Sequence, residues 1–162
     1  MDAHGTITLS PTGVLQAGSR HTFTFVYTVG NCGMREGGSL RISTPNDDWE
    51  MPVAPMHRYF EGGHERGGYD NGYCSYAPRN LDVSLASANP EAWIDLAAQE
   101  CAVTPKLAGG WARHIIATVM AGDLVKGDTI TILYGDPAWG EDRARVQRVA
   151  PTAKDHFRAY VD

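Results

Sequence analysis

No run of about 20 apolar residues occurs in this 162-residue chain, so no segment has the length and character of a membrane-spanning helix. The opening MDAHGTITLSP carries neither the basic stretch nor the apolar stretch of a secretory signal, and the expectation is a cytoplasmic protein. Positive charge is short: 14 Lys and Arg stand against 19 Asp and Glu, a net charge of −5, with no basic block. That balance speaks against a phosphate backbone as the main partner, so neither nucleic acid nor a membrane surface is expected. Cysteine is scarce, at Cys32, Cys74 and Cys101 only, with no C-x-x-C, which excludes a zinc ribbon and a thioredoxin-type dithiol. The three read as reduced thiols; Cys74 and Cys101 would be the pair to join in an exported chain. Ser10, Ser19 and Ser75 lack a G-x-S-x-G setting, so no nucleophile elbow is present. Gly33 to Gly38 (GMREGG) lacks the Lys-Ser/Thr of a phosphate loop and lies between strands rather than before a helix. No repeat of fixed period is present, and no cofactor is expected.

What is there is mostly β pattern. A chain of this length is one domain that can bury a core without staples. Gly5–Ser10 alternates Thr6 and Thr8 with Ile7 and Leu9. His21 to Val29 (HTFTFVYTV) is built almost wholly of aromatic and β-branched residues, the types that suit a pleated surface. Phe23, Phe25, Tyr27 and Val29 share one face, which should be the core face; a one-residue slip would expose all four. Ser39–Ser43 sends Leu40 and Ile42 one way and Arg41 the other. Leu81 to Leu85, Ala112 to Met120, Asp128 to Tyr134, Ala144 to Val149 and Phe157 to Val161 complete the strands, separated by turns of Gly, Asp, Asn and Pro. Strands at this spacing predict an all-β fold: one antiparallel, immunoglobulin-like β-sandwich domain over 1–162.

Two stretches resist that pattern. Asn89-Pro90-Glu91 looks like a helix start, and Ala92 to Ala102 contains good helix formers, yet Ile94, Leu96 and Ala98 also alternate. One short helix or a strand would both satisfy this segment. From about 44 to 79 the pattern is lost among Pro45, Pro52, Pro55, Gly62-Gly63, Gly67-Gly68 and Gly72. Structureless stretches of this length are uncommon inside a domain and are usually functional or mobile. Trp49, Tyr59, Phe60, Tyr69, Tyr73 and Tyr76 give this insertion enough aromatic surface to pack over the sandwich.

The string VLQAGSRHTFTFVYTVGNCGMREGGSLRI at 14–42, with GDLVKGDTITILYGD at 122–136 and the later RARVQ and FRAYVD, resembles a known domain. It is similar to the N-terminal β-sandwich domain of a large uncharacterised bacterial family. Members of that family usually continue into a predicted metal-dependent hydrolase domain related to polymerase-and-histidinol-phosphatase domains. Nothing in these 162 residues matches the hydrolase part, so no catalytic residue transfers to this chain. The resemblance implies an accessory sandwich domain, and it implies a strand for the Ala92–Val103 segment.

The insertion holds the candidate site residues. His57, His64, Glu65 and Asp70 are potential metal ligands, although the second His of a zinc-protease motif is replaced by Gly68. Trp49, Tyr59, Tyr69 and Tyr73 could form a stacking platform, with Asp70 and Asn71 as polar partners for a sugar or small ligand. Asp47-Asp48-Trp49-Glu50 carries three carboxylates, but strand neighbours point to opposite faces, so spacing sets up no acid–base pair. His21 and His114 read as residues of polar or partly buried strand faces. The expectation is therefore a non-catalytic accessory module that packs against, or shapes access to, a catalytic domain. That domain would belong to the same polypeptide or to a protein partner. A carbohydrate- or small-ligand-binding module using the 49–76 loop, a small metal-dependent hydrolase, and a structural partner acting through exposed strand edges are the alternatives.

Overall fold

Phe23, Phe25, Tyr27 and Val29 are at most 2% exposed, and the residues between them face the other way. The alternation read from the sequence is therefore the one that builds the core. These observations come from a computed structural model, which describes residues 3–45, 49, 52, 58–61, 64–67, 80–102, 111–136, 144–145 and 156–162. The strands are β1 (Gly5–Ser10), β2 (Arg20–His21), β3 (Phe23–Val29), β4 (Ser39–Ser43), β5 (Arg58–Glu61), β6 (His64–Gly67), β7 (Leu81–Ala86), β8 (Trp93–Ala102), β9 (Trp111–Ala121), β10 (Thr129–Tyr134), β11 (Ala144–Arg145) and β12 (Arg158–Val161). No helix occurs among the described residues, so none there is long and apolar enough to cross a membrane.

Two four-stranded antiparallel sheets make a β-sandwich, in the orders β1-β3-β10-β7 and β12-β4-β9-β8. The pairing is nested: β3 lies against β10 and β4 against β9, as in a ribbon of two antiparallel arms rolled over on itself. Between β7 and β8, which are edge strands in contact on one side of the sandwich, the chain passes from one sheet to the other. Among the described residues, β1 and β12 are the edges on the other side. One core fills the space between the sheets, from Phe25, Tyr27, Ile130, Ile132 and Tyr134 on one and Leu40, Ile42, Leu96, Ile115 and Val119 on the other. Every one of these is at most 2% exposed. Burying such a side chain contributes about 1.5–3 kcal/mol.

The segment that satisfied both helix and strand rules is a strand. β8 pairs with β9 along its whole length, with one irregularity between Trp93 and Ile94. The helix start at Asn89-Pro90-Glu91 is instead a turn. Asn89 Oδ1 accepts from the Glu91 N–H at 3.0 Å, and the Ala92 N–H donates to the Asn89 carbonyl at 3.1 Å. An Asn side chain that satisfies nearby amides serves a turn as well as a helix cap. Tertiary pairing with β9 then overrides local propensity.

Two smaller sheets complete the fold. β2 pairs with β11, so the strand expected over 21–29 splits at Thr22 and contributes to two sheets. The Thr22 hydroxyl donates to the Gly135 carbonyl at 2.8 Å at that division. β5 and β6 form a hairpin in which Glu61 pairs with His64, inside the stretch that carried no readable pattern.

Candidate functional site

The chain crosses between the two sheets three times at one end, through residues 30–38, 87–92 and 122–128. Residues 30–38 carry the chain from β3 to β4, and residues 122–128 carry it from β9 to β10. Because β3·β10 and β4·β9 are both paired, these two crossings must run side by side. They are bonded along their length. Met34 and Leu124 exchange both backbone hydrogen bonds, at 3.0 and 2.8 Å. The Gly37 N–H donates to the Val119 carbonyl at 2.8 Å, and the Gly127 N–H to the Val29 carbonyl at 3.0 Å. The Glu36 N–H donates to Asp123 Oδ1 at 3.1 Å. Met34 and Leu124 turn their side chains into the core, at 4% and 1% exposure.

Gly33 shows why the approach needs glycine. Its φ is +68°, and a Cβ there would lie 2.8 Å from the Leu124 carbonyl oxygen. Side chains rarely adopt that backbone region, and here there is no space for one either.

Asp128 ties a third loop to the same end. Its carboxylate accepts from the Val125 N–H at 2.9 Å, the Ser87 hydroxyl at 2.7 Å and the Ala88 N–H at 3.3 Å. Burial alone would raise its pKa, but these three donors outweigh burial and hold it below the usual carboxylate value. The Asn89 side chain adds a 3.5 Å bond to the Asp123 carbonyl. The chain start joins in through a Cys32 N–H bond to the Ala3 carbonyl at 2.9 Å. The Tyr27 hydroxyl donates to the His4 carbonyl there as well.

Between the two crossings lies a shallow cleft of about 240 Å³. Its floor is Met34 and Leu124; its walls are Asn31, Cys32, Arg35, Asp123, Val125 and Lys126, all exposed. Cys32 is a free thiol. Both charge signs and one apolar side chain, Val125 at 53% exposure, meet here on a locked backbone. The composition is that of a contact surface rather than of a deep ligand cavity.

None of the described residues singled out in the sequence as site candidates lines this cleft. Trp49 is 6% exposed, with its ring edge-on to Phe23 at 5.5 Å and to Phe157 at 4.9 Å. It belongs to the core cluster and takes its stacking partners from β3 and from the residue before β12. Tyr59 lies on β5 opposite Arg66, while His64 and Glu65 lie on β6 opposite Glu61 and Phe60. His57, Tyr69, Asp70, Asn71 and Tyr73 lie outside the described residues, as do Cys74, Asp47, Asp48 and Glu50. Among the described residues no group of three or more His, Cys, Asp or Glu side chains is placed to hold a metal ion. His21 bonds Ser19 Oγ through Nε2 at 2.8 Å. His114, on β9, has an Nδ1 shielded from solvent with no hydrogen-bond partner among the described residues. Its pKa is lowered, first by burial and then by the charge of Arg41 on the neighbouring strand β4.

The locked loop end was not singled out in the sequence. Its signal was present as two turn clusters, Gly30-Asn31-Cys32-Gly33 and Ala121-Gly122-Asp123, some ninety positions apart. Nothing local joins them; only the nested pairing does. No protein-family model, no curated protein and no solved structure matches the chain.

Proposed function

We propose that this chain is a non-catalytic β-sandwich module that packs against a catalytic domain, or shapes access to its site. That domain belongs to the same polypeptide or to a protein partner. The observation that carries this reading is the loop end. Three loops are bonded into one backbone unit whose floor is the sandwich core, and whose exposed face mixes Val125, Asn31, Arg35, Lys126 and Asp123. Recognition residues commonly sit on loops that a rigid scaffold positions. A surface already ordered before contact loses little entropy on docking.

A photo-cross-linking amino acid at position 125, introduced into the native protein in its source cells, tests the reading. The expected product is an adduct with a catalytic domain, and the same group at Val14, which is fully exposed on the β1–β2 connection, gives none. No protein adduct at position 125 would contradict it. So would hydrolase activity in the isolated chain that is lost in His57→Ala or His64→Ala.

A further inference from the structure

Among the described residues, no strand pairs with the outer edge of β1 or of β12. Ile7 lies opposite Tyr27, and Val161 lies opposite Leu40, so both are on the core-facing side of their strands. Yet Ile7 is 38% exposed and Val161 39% exposed. All four residues of β12 are exposed, and among the described residues β12 is bonded to β4 alone. A strand edge with free backbone groups is a template for another strand.

The β4·β12 ladder fixes which groups are free. Ser39 and Asp162 exchange both backbone bonds, at 3.1 and 3.0 Å. Such exchanging pairs alternate along an antiparallel ladder. Arg41 with Tyr160 and Ser43 with Arg158 are therefore the next exchanging pairs. The N–H and C=O groups of residues 158, 160 and 162 point towards β4. Those of Ala159 and Val161 point out of the edge.

We infer that this edge pairs with β12 of a second copy of the chain, in an antiparallel register centred on Tyr160. In that register Ala159 meets Val161 of the other copy, twice. All four outward donors and acceptors on each side are then used, in four hydrogen bonds. The same register places Arg158 directly opposite Asp162 of the other copy, again twice, on the face they share with Tyr160. Opposite charges at directly opposed positions stabilise a strand pair. The two Tyr160 rings, each 52% exposed in one copy, meet on the two-fold axis. Their backbones form a non-hydrogen-bonded pair, the closer of the two spacings, about 4.5 Å between Cα atoms. The sequence Arg-Ala-Tyr-Val-Asp is thus self-complementary, as an isologous two-fold interface requires. The strand is short, so the dimer is weak and concentration-dependent.

Sedimentation equilibrium of the whole chain, from micromolar to millimolar concentration, tests this. The average mass should rise from one chain towards two. Arg158→Asp sets Asp opposite Asp at both positions and should weaken association about tenfold or more. The double reversal Arg158→Asp with Asp162→Arg should restore it to within about threefold of the parent on the same scale. Ala159→Pro removes one outward N–H per copy while leaving every bond to β4 intact, so it should give a monomer with an unchanged melting temperature at low concentration. A parent chain that stays monomeric throughout would overturn the inference. A dimer indifferent to Ala159→Pro, or a double reversal that fails to recover, would do the same.

Discussion

The Ser87 hydroxyl donates to Asp128 Oδ2 across 2.7 Å, fastening the loop that leaves β7 to the turn that starts β10. The other carboxylate contacts come from the Val125 and Ala88 amides, so one side chain orders both loops. Asp128→Ala removes three part-buried hydrogen bonds to a charged acceptor, and should lower stability by about 1–3 kcal/mol in urea unfolding. Asp128→Asn should do part of the same damage.

The pH dependence follows from the direction of the shift. Asp128 titrates lower in the folded chain than in the unfolded one, so its charge stabilises the fold above the unfolded carboxylate value of about 3.9. That contribution is lost as pH falls from there through the folded value. Melting curves from neutral pH down into this range should fall more steeply for the parent chain than for Asp128→Asn.

His114 acts in the same sense at higher pH. Burial, then Arg41, lowers its pKa, so the folded chain holds it neutral while the unfolded chain binds a proton near pH 6.5. Its stabilising contribution is present above that value and is lost as pH falls through the lower folded value. The His114 ring resonances in an NMR titration should have their midpoint below 6.5, and Arg41→Gln should move that midpoint up.

Trp49 separates a core role from a ligand-binding role. Its edge-on contacts with Phe23 and Phe157 predict that Trp49→Ala costs about 3–5 kcal/mol in chemical unfolding. A stacking platform residue would show little effect on stability and a loss of glycan binding instead.

How much of this the sequence disclosed depends on how far apart the interacting residues lie. β3 and β10 were legible, because the alternation of Phe23, Phe25, Tyr27 and Val29, and of Ile130, Ile132 and Tyr134, is a local period and the core obeys it. β8 was ambiguous because its residues favour a helix locally; its pairing with β9 decides the matter. The β5–β6 hairpin hid among glycines, although the Gly62-Gly63 pair between its strands is itself a two-residue hairpin signal. Asp128 reads in sequence as one more turn residue after Lys126-Gly127. Its role depends on Ser87 and Ala88, forty positions away. Trp49 falls in an irregular acidic stretch, and nothing next to it reveals that Phe23 and Phe157 enclose it.

Glycine at 33 offers a direct test of the loop geometry. With φ at +68° and the Leu124 carbonyl 2.8 Å from where a Cβ would stand, Gly33→Ala should destabilise the chain by more than about 1 kcal/mol. Gly37→Ala also changes a left-handed glycine but meets no atom within 4 Å, so its cost should be smaller. Thermal melts of the two variants side by side measure the difference.

The crossings at 30–38 and 122–128 form one rigid, pre-ordered end of the sandwich. Amide hydrogen exchange at Met34 and Leu124, which bond to each other across the crossings, measures that most directly. Protection at both amides should be close to that of Phe25 and Ile132 in the core strands. Exchange at both within the time of freely fraying loops would contradict it.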